Sequence, residues 1–173
     1  MKKYFSFSST ISGKSFFLRS LFLIIMCIPL IIALFTKWTY YFIGLGDFDI
    51  SNTSFENQAQ IQKFGDELGM KIAENPEFYL NDFMSSFTVL WIIIFLACII
   101  PVIWFGLVNY YKRISALFYE QRNNIFFAVV TFDVISDIII LKYNTGSFIL
   151  GTISTLIYVY LIVENSEIDS HNG

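Results

Sequence analysis

The sequence predicts an all-α, polytopic membrane protein with four transmembrane helices and an extracytoplasmic helical segment between the first and second. Three observations predict it. Only 14% of the 173 residues are charged, against about a quarter in soluble domains. Aromatic residues, led by twenty Phe, reach 19%. Uncharged apolar stretches also recur at lengths near the roughly 20 residues that a helix rising 1.5 Å per residue needs to cross a hydrocarbon layer about 30 Å thick.

The first span is expected at about residues 19–43. The run from Ser20 to Thr36 carries no charge, then passes Lys37 into Trp38, Tyr40, Tyr41 and Phe42. Such an aromatic group suits the membrane–water interface, where Lys37 can lift its ammonium toward water. Pro29 predicts a kink in its middle. A cleaved signal peptide is the competing reading, because Lys2 and Lys3 precede an apolar segment. It is disfavoured by the polar stretch from Ser6 to Ser15, by the length of the run and by the lack of a small-x-small cleavage site after it.

The second span, about residues 84–109, lies in the uncharged run from Phe83 to Tyr111, between Asp82 and Lys112, with Pro101 as a second kink. The third, about residues 124–141, contains Asp133 and Asp137. Each central Asp opposes insertion by about 2.5 to 3.5 kcal/mol, and each Ile, Phe or Val returns about 0.3 to 0.6 kcal/mol, so the apolar residues offset most of the cost. The fourth, about residues 146–163, is uncharged between Lys142 and Glu164. The short Tyr143-Asn144-Thr145-Gly146 turn makes spans three and four a helical hairpin that can insert as one unit.

Orientation follows from the positions of Lys and Arg. Lys2, Lys3, Lys14 and Arg19 precede the first span, and Lys112, Arg113 and Arg122 lie between the second and third, so these segments and both termini are expected in the cytoplasm. The segment 44–83 is acidic and is expected outside. It should be helical: Thr53-x-x-Glu56 has the pattern of a capping box, and Ile61, Phe64, Leu68 and Ile72 recur at helical spacing. That apolar stripe should rest on the bilayer or on other helices. Asn75-Pro76-Glu77 predicts a second helix start, with the new helix running into the second span.

Asp133 and Asp137 are the first candidates for a functional role. Four residues apart, they share one face of a helix, and acids inside a membrane are functional suspects by default. With the hairpin turn centred near Asn144 and Thr145, Asp137 should lie level with Gly151 and Thr152, and Asp133 level with Thr155. Ser147, Gly151 and Thr155 form a small-residue stripe that would allow close packing and place a hydroxyl near a carboxylate. Packing is the plainer use of this set, and proton or cation movement the sharper one. Lys112, Arg113 and Arg122 are expected to set topology and meet anionic headgroups, or to dock a partner. Lys37 and Lys142 should approach the outer interface, near Asp137 or the acidic segment.

No nucleophile and base, metal-ligand spacing or basic run tracking phosphates can be assembled, so no catalytic residue, cofactor or metal is expected, and nucleic acid is an unexpected partner. The two cysteines, Cys27 and Cys98, sit in apolar runs, where a thiol acts as a small hydrophobe.

Two stretches beside the spans carry a family resemblance. Phe7-Ser8-Ser9-Thr10-Ile11-Ser12-Gly13-Lys14-Ser15-Phe16-Phe17 resembles the F-x-G-R-I-S-R-x-x-F-W opening of the domain of unknown function 805 family. Phe7, Ile11, Ser12 and Phe16 match, Phe17 stands for Trp, and Ser9, Thr10 and Gly13 replace the glycine and both arginines. Lys112-Arg113-Ile114-Ser115-Ala116-Leu117 resembles the family's R-L-x-D element, with Ala116 in place of Asp and without the following G-W-W. The resemblance covers these two patches and the order of four helices. It implies a small bacterial inner-membrane protein without an assigned activity. The expected role is interaction or membrane organisation, not catalysis, with the bilayer and a protein partner or second copy as contacts. A small proton- or ion-coupled transporter or sensor component using the Asp pair is the alternative.

Overall fold

A computed structural model of the protein describes residues 2–46, 54–142 and 147–166. Among them every regular element is a helix: α1 (Lys2–Phe5), α2 (Gly13–Met26), α3 (Ile28–Gly46), α4 (Phe55–Glu74), α5 (Pro76–Ser85), α6 (Val89–Leu117), α7 (Arg122–Lys142) and α8 (Ser147–Val163). Three helical stretches, Gly13–Gly46, Val89–Leu117 and Arg122–Lys142, are long and apolar enough to cross a membrane. The chain is a membrane protein on that ground. α8 is also apolar but has 17 residues, about 26 Å at 1.5 Å per residue.

Several boundaries differ from expectation for identifiable reasons. The first apolar run is broken at Cys27 into α2 and α3, because Pro29 lacks an N–H and its ring crowds the carbonyl four residues earlier. Pro29 instead occupies the first turn of α3, where Ile31 N–H bonds the Cys27 carbonyl at 3.0 Å. The second span starts at Val89, not near residue 84, and α5 does not run into it. Ser85 Oγ and Ser86 Oγ donate to the carbonyls of Asp82 and Phe83 at 2.8 and 2.6 Å, and the ammonium of Lys37 takes the Ser86 carbonyl at 2.9 Å. Hydroxyls and a cation thus close the end of α5. α6 then continues through Pro101 and past residue 109 to Leu117. The cap of α4 is Ser54, which accepts from Asn57 N–H at 3.2 Å. The expected cap, Thr53, and the Tyr143–Gly146 turn lie outside the described residues. Asn75 caps α5 as its sequence predicts, accepting from Phe78 N–H at 3.3 Å, with Pro76 in the first turn.

The helices divide into two compact units, Met1–Met26 with Ile100–Gly173, and Cys27–Ile99. In the second unit, α4 packs on α5, and the α4 stripe of Phe64, Leu68 and Ile72 faces Phe42 and Ile43 of α3 across a groove of about 360 Å³. Trp38, Tyr41 and Phe83 form an aromatic cluster beside it, and Tyr41 Oη donates to Asp82 Oδ2 at 2.6 Å. Lys37 was expected to snorkel to water. It is instead only 6% exposed, 5.3 Å from the Phe87 ring centre and 5.9 Å from that of Trp91.

In the first unit, α8 packs on both α2 and α7. Its core is Ile11, Phe16, Ile114, Leu117 and Leu161. Ser12 Oγ accepts from Ser15 N–H at 3.3 Å, the geometry of a helix N-cap, and starts α2. Gly13 follows because nothing larger fits: a Cβ there would collide with the Ile162 carbonyl of α8.

Burial is inverted relative to a water-soluble fold. Leu141 and Phe148 are 88% and 85% exposed, while Lys112 and Arg113 are fully buried. Water would penalise each large apolar side chain left outside by about 1.5 to 3 kcal/mol relative to burial. Hydrocarbon removes that penalty, and the polar groups then turn inward.

Candidate functional site

The polar groups of the first unit fall into a buried knot around Arg113 and a cavity lined by the two α7 acids.

Arg113 stands on the inward stripe of α6, which also carries Phe105, Val108, Asn109, Lys112 and Ala116. From Lys112 to Leu117 every residue of α6 is buried, so this end of the helix is enclosed on all faces and carries the two cations inside with it. A guanidinium in such a place requires acceptors. Its Nε donates to the Leu161 carbonyl, and one terminal nitrogen to the Glu164 carbonyl. The other donates to Ser166 Oγ at 2.7 Å and to the Ile11 carbonyl at 3.3 Å. Arg113 therefore caps the C-terminal end of α8, where carbonyls lack helical donors, and ties it to the segment before α2. Arg113 and Lys112, both expected on the cytoplasmic side, are fully buried. Arg122 is half-buried at the start of α7, its guanidinium 4.7 Å from the Tyr119 ring centre.

Asp133 and Asp137 line one cavity of about 540 Å³, together with Asn109 and Tyr110 of α6, Phe16 of α2 and Tyr158 of α8. The two acids thus share the face that their spacing predicts. Asp133 Oδ1 accepts from Ser154 Oγ at 3.1 Å. Asp137 is exposed, and no Lys or Arg is among the residues that line the cavity.

The expected hydroxyl partner, Thr155, is not at this site. It is exposed and donates to the Gly151 carbonyl of its own helix at 2.7 Å, and Thr152 likewise donates to Phe148. The register differs by one residue, which turns a side chain about 100° around a helix. Ser154 consequently faces α7, whereas Gly151 and Thr155 line a shallow notch with Phe148. A Cβ on Gly151 would meet nothing within 4 Å, so Gly151 is not a point of close approach between α7 and α8.

Sequence reasoning missed two participants. Asn109 is 2% exposed and accepts from Arg19 Nη1 at 3.4 Å through Oδ1, while its Nδ2 has no partner among the described residues. Arg19, counted only as a topology charge, has its guanidinium 4.8 Å from the Tyr4 ring centre. The signal for Asn109 was its place on the same helical stripe as Phe105 and Val108. No group of three His, Cys, Asp or Glu residues comes together to hold a metal among the described residues.

Comparison of the chain with protein-family models, curated proteins and solved structures finds no match.

Proposed function

We propose that the chain is a four-span bacterial inner-membrane protein with both termini cytoplasmic and segment 44–83 outside. In this reading it acts by interaction or membrane organisation, not by catalysis, and is a divergent relative of the domain of unknown function 805 family. The observation that carries the functional part is the use made of the buried cations. Arg113 spends its donors on carbonyls of two chain segments and a serine, and Lys37 spends its ammonium on the Ser86 carbonyl. This polar chemistry holds helices together, and the surfaces left outward are apolar and suited to lipid or to another membrane helix. The family reading draws support from the proximity of the two stretches that carry the resemblance: Ile11 and Phe16 from one and Ile114 and Leu117 from the other share a core. α8 is read as the fourth crossing because it is uncharged and packed on α7. Its length of about 26 Å needs only modest local thinning of the bilayer.

Affinity purification of the full chain in a mild detergent tests this role. A co-purifying protein or a discrete homo-oligomer is expected, and a lone homogeneous monomer would contradict it. The topology is tested separately by a cysteine at Asp66, which should react with an impermeant thiol reagent in intact cells.

A second reading, a proton- or ion-coupled component, is favoured by Asp133 and Asp137 on one cavity wall. Replacing both by Asn should abolish pH-dependent flux in vesicles if it holds. Unchanged flux with reduced stability would leave the pair a packing role.

A further inference from the structure

We propose that the groove between α1 and α2, with Arg19 at its head, binds an anionic phospholipid whose phosphate meets the guanidinium and whose acyl chain lies along α2.

Arg19 has donors to spare. It lines the groove and is half-buried, so its guanidinium has lost part of its water without being enclosed. Among the described residues it makes one hydrogen bond, from Nη1 to Asn109 Oδ1 at 3.4 Å, and it lies 4.8 Å from the Tyr4 ring centre. Arg113 of the same unit, by contrast, spends its fork on four oxygens. A guanidinium carries five N–H groups in a planar array that fits the oxygens of a phosphate. No Asp or Glu lines the groove to take the donors that Arg19 has left.

The groove also orders its polar and apolar parts as a lipid does. Leu18, Phe22 and Met26 follow one another along one face of α2, and Arg19 stands beside the first of them. At 1.5 Å per residue this row is about 12 Å long. It runs from the first half of α2, which begins at Gly13, into the apolar stretch Gly13–Gly46, so charge gives way to hydrocarbon with depth. Tyr4 and Phe5 supply the opposite wall, and Trp104 Nε1 holds them in place by donating to the Phe5 carbonyl at 3.0 Å. Tyr4, Leu18 and Phe22 are 51%, 54% and 50% exposed, so these walls face outward and do not belong to the core. The volume, about 510 Å³, falls in the range of small-molecule sites.

Charge selects the headgroup. Lys2, Lys3, Lys14 and Arg19 lie in the segment that forms α1 and α2, and no Asp or Glu precedes Asp47. A basic segment at a membrane surface attracts lipids of net negative charge, whereas a zwitterionic lipid carries its own cation beside the phosphate. Such a site rests on the membrane-organising reading only in needing a bilayer, so a failed lipid titration and a failed partner purification are separate results.

Quenching of Trp104 fluorescence tests the site. With Trp38→Phe and Trp91→Phe, Trp104 is the remaining one of the three Trp residues, and its bond to Phe5 puts it beside the groove. The full chain is reconstituted in phosphatidylcholine vesicles, and phosphatidylglycerol or phosphatidylcholine brominated on the acyl chains is titrated in. Brominated phosphatidylglycerol should quench at a mole fraction roughly fivefold lower than brominated phosphatidylcholine. Arg19→Gln should bring the two together, and Arg19→Lys, which keeps the charge and loses the fork, should retain part of the preference. Leu18→Glu puts a carboxylate on the groove beside an intact Arg19 and should also remove the preference, which keeps the site testable if Arg19→Gln fails to fold. Lys14→Gln removes an exposed charge that does not line the groove, and it should leave most of the preference in place. Excess glycerophosphate, a headgroup without tails, should not relieve the quenching, and relief would assign Arg19 to a soluble phosphate and overturn the lipid site. Equal quenching by the two lipids in the parent chain would also overturn the proposal. So would equal losses from Lys14→Gln and Arg19→Gln, which would show diffuse attraction to the basic segment and no site.

Discussion

A guanidinium taken out of water is tolerated only where its N–H groups find oxygen, and Arg113 finds four acceptors on Ile11, Leu161, Glu164 and Ser166. Replacing it with Met keeps much of the volume and strands those acceptors. At about 1 to 3 kcal/mol for each buried group left unsatisfied, with some regaining water, the loss is on the order of 3 kcal/mol. Arg113→Met should therefore lower the thermal midpoint in detergent markedly, and Arg113→Lys should recover only part, because an ammonium cannot reproduce the planar fork. An unchanged midpoint for Arg113→Met would show that the network contributes nothing. Lys37→Met is predicted to be milder, about 1 to 2 kcal/mol, since one carbonyl bond to Ser86 and two aromatic contacts are lost. The roles of these cations were only partly legible in the sequence. Lys112 and Arg113 read as a cytoplasmic flag because charge was weighed by location along the chain, whereas their burial comes from the enclosure of the whole end of α6, which depends on how the helices meet.

Element existence was far more legible than element register. Long apolar runs identify α3, α6, α7 and α8, and Asn75-Pro76 identifies the start of α5, because these signals are local. The pairing of α7 with α8 depends on the turn geometry, and an offset of one residue replaced Thr155 with Ser154 as the partner of Asp133. A direct check follows. Ser154→Ala should cost about 1 kcal/mol in thermal or chemical unfolding, whereas Thr155→Ala, which removes only a bond to its own helix, should change stability by less than about 0.5 kcal/mol. The reverse order would restore the expected register. The break between α5 and α6 was hidden for a related reason. Ser85, Ser86 and Thr88 lie in an apolar context that reads as continuous helix, and the Lys37 ammonium that helps close α5 comes from 49 residues away.

For the whole chain, the inverted burial carries the account. Cations are buried in both units while Phe35, Ile93 and Ile135 point outward at 73%, 57% and 51% exposure, an arrangement that only hydrocarbon makes favourable. Composition alone disclosed the membrane, since 14% charge leaves too little polar surface for water. It could not disclose which polar groups face the interior, because that depends on how the helices meet. The most direct test places a nitroxide at Phe35, Ile93 or Ile135, with Cys27 and Cys98 replaced by Ala, in protein reconstituted into vesicles. Power-saturation resonance should show collisions with oxygen exceeding those with a water-soluble nickel chelate at all three positions. Nickel collisions exceeding oxygen at these positions would contradict the membrane-embedded fold.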